Sequence, residues 1–321
     1  MGTAKRSEII FIYDLKWANP NGDPMDLNKP RIDIETGINF VTDVRLKRTI
    51  RDELYNSGHE ILIRDTVRED GSLADGKYRA AQFIPENMQG YTDKDFQELE
   101  KQLNQIILNK CLDVRLFGCT LPFEFKYGKK TKSGSVTYTG PVQFKMGYSM
   151  HPVKCELVKG TGAFASGEEK NSKTFRQEYI LPYSLILFYG IINDRAAKTT
   201  GLTEDEIALL LKAMWDGTKN LISRTKAGQT PRVLIRVVYK DGDFHIGELD
   251  KGISFTYGKP GEIIRDIADG AIDFSDLLEK LGANARHIEK VELRLADRLP
   301  VRDGVNIPEA IQKLGIEVRT F

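Results

Sequence analysis

SEIIFIYDL, residues 7–15, sets Ile, Phe and Tyr in an almost unbroken apolar run and reads as a buried strand. It runs into WANPNGDPMDLNKP, residues 17–30, a loop dense in Asn, Pro, Gly and Asp. These residues favour turns through the fixed φ of Pro, the positive φ open to Gly and the local side-chain bonds of Asn and Asp. Thr42 or Asp43 then supplies an N-cap. The helix that follows places Leu46, Ile50 and Leu54 on one face, with Lys47, Arg48 and Arg51 on the other side, and Gly58 ends it. EILIR, residues 60–64, predicts a second strand. Strand, helix, strand is the opening of a ferredoxin-like or RRM-like unit, so an α+β fold is expected.

Further along, residues 66–94 are polar and turn-rich, as an insertion would be. Phe96, Leu99, Leu103, Ile106 and Ile107 are spaced for one helix face over 95–111. KYGKKTKSGS, from Lys126, predicts a basic loop, and PVQFKMGYSM, residues 141–150, a strand. Residues 152–180 form a polar hairpin candidate with Gly160, Gly162 and Gly167 near its tip. A strand over 183–191, a helix over 203–223 opened by the Thr203–Glu206 capping pattern, and a strand over 232–240 follow. No fixed-period repeat or low-complexity tract appears.

With 40% apolar and 29% charged residues, the chain has globular composition, and its 321 residues suffice for a large core. Three cysteines without a CxxC pair support neither a disulfide framework nor a zinc site and fit a reducing, cytoplasmic setting. The apolar run before Asp14 is too short for the hydrophobic part of a signal peptide, and Ile180–Ile192 is too short to span a bilayer. A net charge of +1 excludes a general basic coat. Residues 241–321 hold 11 Lys/Arg against 16 Asp/Glu, and the first 240 hold 36 against 30, so an anion-binding surface belongs in the first three quarters.

Enzyme signatures are weak. GTGAFASG, residues 160–167, lacks the Lys-Ser/Thr of a P-loop and the GxGxxG spacing. His59, His151, His245 and His287 have no metal-spaced partners, and no GxSxG elbow exists. Asp14, Asp23, Asp26, Asp33, Glu35 and Asp43 crowd the first loop; they could hold Mg²⁺, or simply serve turns and caps. The basic features are more coherent: Arg45, Lys47, Arg48 and Arg51 within two helical turns, and Lys126, Lys129, Lys130 and Lys132 around Tyr127. Phe164, at the tip of a hairpin carrying Lys154, Lys159, Lys170, Lys173 and Arg176, suits stacking on, or wedging between, the bases of a single strand.

NPNGDP (19–24), PRIDIETG (30–37), VTDVRLKRTIRD (41–52) and DVRLFG (113–118) occur in that order. The ordered set resembles the backbone subunit of the CRISPR Cascade surveillance complex, most nearly the type I-B or the similar type I-C version. The resemblance runs on through the Gly-rich hairpin and YILPYSLILFYG, hence over most of the chain. It implies a single RRM-like domain over 1–321, with a palm, a fingers insertion at 66–150 and a thumb hairpin at 152–182. It implies copies packed head to tail along a guide RNA whose exposed bases pair with a complementary DNA strand. Other Cascade subunits would join them, and cutting would belong to a separately recruited nuclease-helicase. No cofactor, metal or membrane is implied. By position, Asn19, Asn21, Gly22 and Asp23 would shape the loop beside the RNA, and Arg31, Arg45, Lys47, Arg48 and Arg51 would contact phosphates. Arg115 and Gly118 would lie near the RNA or a subunit joint, and Lys159, Phe164, Lys173 and Arg176 on the thumb. Two alternatives stay open: a metal-dependent ribonuclease of the type III kind, using Asp23 or Asp43, and a protein-only filament.

Overall fold

The computed structural model describes residues 2–84, 96–127, 130–161 and 175–321. In chain order the elements are β1 (Ser7–Ala18), β2 (Gly22–Asp23), β3 (Lys29–Pro30), β4 (Ile38–Val41), α1 (Asp43–Asn56), α2 (Gly76–Ala81), α3 (Phe96–Lys110) and α4 (Leu112–Phe117). Then come β5 (Gly118–Tyr127), β6 (Lys130–Thr139), β7 (Val142–Phe144), β8 (Gly147–Pro152), β9 (Glu156–Thr161) and β10 (Phe175–Ile192). The rest holds α5 (Asp194–Thr200), α6 (Glu204–Lys219), β11 (Thr230–Tyr239), β12 (Ser254–Tyr257), β13 (Gly270–Asp273), α7 (Ser275–Ala283), β14 (Ile288–Leu295), α8 (Ile307–Lys313) and β15 (Glu317–Thr320).

The central sheet runs β15-β14-β11-β1-β10-β8-β4, with β7 and β9 also on β10. Its middle four strands, β11-β1-β10-β8, are antiparallel neighbours, and α1 and α6 cross between alternate ones. That is the interleaved double βαβ of a ferredoxin-like palm, as the sequence predicts. The second palm strand, however, is β8 and not EILIR. Residues 62–64 form bends, and side chains hold much of the backbone of this stretch instead of a ladder. Leu62 N and Ile63 N donate to the Asp113 carboxylate at 2.8 and 3.1 Å, and Arg79 donates to the Ile61 and Leu62 carbonyls at 2.8 and 3.2 Å. With these central donors and acceptors engaged by side chains, EILIR forms no ladder with a neighbouring strand. The palm therefore resumes only at residue 147, after a long insertion.

β1 alternates between two cores. Ile9, Phe11 and Leu15 pack under α1 and α6 with Leu46, Ile50, Leu210 and Met214. Ile10 and Ile12 face the opposite way, with Tyr183, Val233 and Ile235, and are covered by Phe255, Phe274, Leu277 and Leu281. The C-terminal quarter thus closes the sheet face that RNA-recognition sheets commonly leave open for base stacking. Glu8 pins this cover: its carboxylate accepts from the Tyr189 and Tyr239 hydroxyls and from Ile246 N and Gly247 N at 3.0 Å.

The insertion has its own apolar core, of Leu62, Ala80, Leu99, Leu103, Ile107, Val114, Phe123 and Val136. α3 matches the predicted helix. The stretch read as a basic loop is instead mostly paired strand, since β5 and β6 hold register from Gly118↔Thr139 to Tyr127↔Lys130. PVQFKMGYSM likewise splits into β7 and β8, both on β10. β10 runs 18 residues, pairing with β1 and then with β9, so one strand serves both the palm and the base of the hairpin. Thr203 and Glu206 form the expected capping box at the start of α6. No helix among the described residues is long and apolar enough to cross a membrane.

Candidate nucleic-acid interface

Five segments meet at one end of β1. Asn19, buried, donates through Nδ2 to the Asn28 carbonyl at 2.7 Å and to the Tyr179 carbonyl of β10 at 3.3 Å. Its backbone N–H donates to the Thr225 carbonyl at 2.8 Å, which brings in the segment after α6. Asn21 Oδ1 accepts from Thr42 N at 2.9 Å and from Thr42 Oγ1 at 3.0 Å, fastening the loop to the N-cap of α1. Gly22 sits so close to Asn28 that a Cβ there would lie 2.7 Å from the Asn28 carbonyl oxygen, which is why the β2–β3 turn takes glycine. Asp23 caps its own turn through Met25 N at 3.0 Å and pairs with Arg31 at 2.9 Å. Lys29 lies over the Tyr179 ring, and Arg224 pairs with Glu178, so both clasp the base of the hairpin.

The four basic residues of α1 have separate fates. Lys47, mostly buried, donates to Asp43 and Gln143 at 3.0 Å and lies over the Phe117 ring. Arg48 is half-exposed and bonds both Asp52, at 2.8 Å, and Asp65, at 2.9 Å; its pKa rises, chiefly through the Asp65 bond. Arg51 is buried against Asp113 at 3.0 Å and over Phe117. Arg45 is half-buried, and no hydrogen bond or ion pair from the described residues reaches its guanidinium. Burial holds its pKa below the usual arginine value, opposed first by Tyr13 and then by Asp52, while Arg48 pushes the same way as burial.

Of the second motif, Arg115 bonds Glu206 at 2.8 Å and the Leu108 and Asn109 carbonyls at 2.5 and 2.8 Å, so it closes the end of α3 and ties the insertion to α6. Gly118 has φ +75°, and a Cβ there would meet the Tyr138 carbonyl oxygen at 2.2 Å. Neither belongs to the cluster around Asn19. Lys159 is exposed on β9. The backbone of Arg176 pairs with Gly160 at the base of the hairpin, but its side chain lies outside the described residues, as do Phe164 and Lys173.

Five of the six carboxylates read around the first loop have partners in the fold, Asp23 as above; Glu35 contributes only its backbone N–H. Asp14 takes a two-pronged contact from Arg232 at 3.0 and 2.9 Å plus the Tyr183 hydroxyl at 3.0 Å, and burial raises its pKa against these partners. Asp26 holds Lys29, Asp33 holds Thr36 and Glu35 N, and Asp43 holds Lys47. No group of three His, Cys, Asp or Glu among the described residues is placed to hold a metal ion.

Lys226 was not singled out by the sequence reading. It stands in SRTKAGQT, residues 223–230, a Lys/Arg-bearing turn whose only sequence signal is its place after the α6 pattern. In the fold it is half-buried beside Asn19 and Arg45.

Residues 5–275 match the family model described as CRISPR-associated protein Cas7. A Haloferax volcanii protein described as CRISPR-associated protein Cas7 is 31% identical over 305 residues, spanning 91% of this chain and 87% of that one. The chain belongs to the CRISPR-associated protein Cas7 family. Two solved chains share the fold over 96% of this chain and 98% of their own, at 16% identity. One, with a TM-score of 0.53, comes from a CRISPR RNA-guided surveillance complex, pre-nicking; the other, at 0.50, from a CRISPR RNA-guided surveillance complex. The Cas7 match takes in the loop, α1, the insertion and the hairpin, and stops at the start of α7, short of β14, α8 and β15.

Proposed function

We propose that this chain is the guide-RNA-binding backbone subunit of a type I CRISPR surveillance complex, and that it does not itself cut nucleic acid. Family membership supports the role, and one observation carries the site. The Asn19–Arg31 loop, the first turn of α1, the 223–227 turn and the base of the hairpin converge on Asn19, with Arg31 on the loop, Arg45 on the first turn of α1 and Arg48 further along that helix. Fixed donors and cations without base-reading geometry suit a phosphate backbone, so sequence would be read by pairing and not by side chains.

In this reading residues 66–150 supply fingers and 152–182 a thumb that closes over the guide, with Lys159, Phe164, Lys173 and Arg176 on it. Copies pack head to tail along the guide, and a basic face of one meets the acidic final 81 residues of the next. The exposed guide bases pair with complementary DNA in the cytoplasm, other Cascade subunits complete the particle, and a recruited nuclease-helicase cuts. Of the α1 cations, Arg45 and Arg48 are the phosphate ligands. Arg48 leaves carboxylates that hold it weakly, since exposed ion pairs contribute only about 0–1 kcal/mol. Purification with and without RNase tests the role: copurifying guide RNA in a multi-subunit particle is expected, and RNA-free assembly would overturn it. Incubation of that particle with complementary RNA and Mg²⁺ should give no regular cleavage ladder.

A further inference from the structure

A cleft of about 430 Å³ opens between α1 and the segment that follows α6, lined by both Arg45 and Lys226. Two cations lie half-buried there without a carboxylate bonded to either. Among the described residues, Lys226 Nζ reaches only the Asn19 carbonyl, at 3.4 Å, and no hydrogen bond or ion pair reaches the Arg45 guanidinium. Burial, and then the charge of Arg45, hold the Lys226 pKa below the usual lysine value. Two carboxylates line the same cleft but are engaged elsewhere: Asp52 by Arg48, and Glu53 by Asn220 Nδ2 at 3.2 Å.

Like charges brought together and partly desolvated destabilise a fold. Here the backbone enforces the arrangement. Thr225 is fastened to Asn19 at 2.8 Å, and the 223–227 turn is closed by Lys226 N and Ala227 N on the Ser223 carbonyl, at 2.9 and 2.7 Å. A turn that holds one half-buried cation near another, with no carboxylate bonded to either, suits an anion that arrives from outside. The cleft adjoins the loop and the α1 N-terminus proposed above to hold the guide.

We infer that Lys226 and Arg45 together form a subsite for one phosphodiester of single-stranded RNA, making the turn after α6 a further element of the grip. This rests on the RNA-binding reading and adds to it a residue and a segment. One phosphate contact on a single strand contributes about 0.7 to the slope of log K against log salt, or about fivefold per decade of salt concentration.

The test is titration of the full chain with a labelled single-stranded oligoribonucleotide across a salt series, for the wild type, Lys226→Gln and Lys226→Arg, with a thermal melt of each. Lys226→Gln should lower the slope by up to about 0.7, Arg45 still facing the same phosphate, and weaken binding by up to about fivefold at 0.1 M salt against a 1 M reference. Its melting temperature should not fall, because a repulsion has been removed, and Lys226→Arg should restore binding. If the wild type binds and Lys226→Gln binds equally well with the same slope, the subsite is overturned while the RNA-binding reading stands. The same holds if Lys226→Gln impairs only assembly with further copies. If Lys226→Gln melts lower and Lys226→Arg restores nothing, the residue is structural and the subsite fails. A wild type that does not bind at low salt overturns the parent reading, and this inference with it.

Discussion

Arg51 donates through Nε to Asp113 Oδ2 at 3.0 Å, and the pair is sealed from water at 9% and 0% side-chain exposure. It joins α1 to α4, and so joins two of the sequence motifs that recur in order along the chain. Asp113 also accepts from Leu62 N and Ile63 N, so a single carboxylate orders the start of the insertion and anchors it to the palm. Asp113→Ala would leave a buried guanidinium and two backbone donors unpartnered. Breaking a buried pair from one side costs about 3–5 kcal/mol, and denaturant unfolding should show a loss of that size. Replacing both residues with apolar ones should cost less than the sum of the single changes. A loss under about 1 kcal/mol for Asp113→Ala would mean that the pair does not organise the junction.

The Arg51 pair also shows where sequence reading stops. Apolar period gave β1, α1, α3 and α6, and the Thr203–Glu206 spacing gave a capping box, because those signals are local. Whether a basic residue on α1 meets a phosphate or an aspartate 62 positions away is not local, and the pattern of Lys47, Arg48 and Arg51 looks the same either way. EILIR failed for a related reason: Ile61 and Leu62 are buried as a strand's residues would be, yet the backbone partners here are the side chains of Asp113 and Arg79. Lys226 became visible only when the fold set it beside Arg45, 181 residues earlier in the chain.

Gly118 ends α4 and begins β5 at φ +75°, with its absent Cβ position 2.2 Å from the Tyr138 carbonyl oxygen and 2.4 Å from Gly140 N. Both neighbours are backbone atoms of the paired hairpin and cannot turn aside. Gly118→Ala adds that clash to a left-handed conformation which itself costs about 1–3 kcal/mol for a side-chain-bearing residue. The expected outcome is a melt lowered by more than that strain alone, together with faster amide exchange in β5 and β6. An unchanged melt would show that the hairpin relaxes more cheaply than its geometry suggests.

His151 stacks on Tyr183 and donates through Nδ1 to the Pro152 carbonyl at 2.8 Å and, more weakly, to the Gly261 carbonyl at 3.2 Å. Nε2 is buried and has no hydrogen-bond partner among the described residues. Burial holds the pKa below the ordinary value of about 6.5, and Arg265 pushes the same way. The unfolded chain therefore binds the extra proton first. The stabilisation is complete above about pH 6.5 and declines as pH falls through the folded-state value, with a slope of at most about 1.4 kcal/mol per pH unit. Urea unfolding between pH 7.5 and 5.5 should show this decline, and His151→Phe should flatten it. A His151→Phe profile parallel to that of the wild type would assign the decline to other groups.

Asn21 reaches across 21 residues to the N-cap of α1, accepting from both Thr42 N and Thr42 Oγ1. Removing a cap partner costs about 0.5–2 kcal/mol, a small part of a domain's stability. The loop also carries the Asp23–Arg31 pair, and Asn21 is its direct tie to the helix turn that bears Arg45. Asn21→Ala should thus leave a cooperative melt a few degrees lower, yet weaken single-stranded RNA binding by more than the loss of one neutral hydrogen bond would. The salt slope should stay close to that of the wild type, because no charge has been removed. That combination separates a residue that positions cations from one that contacts phosphate, for which affinity and slope fall together. A slope lowered as much as by Arg45→Ala would move Asn21 into the second class, whereas intact affinity would show that the loop keeps its shape without this tie.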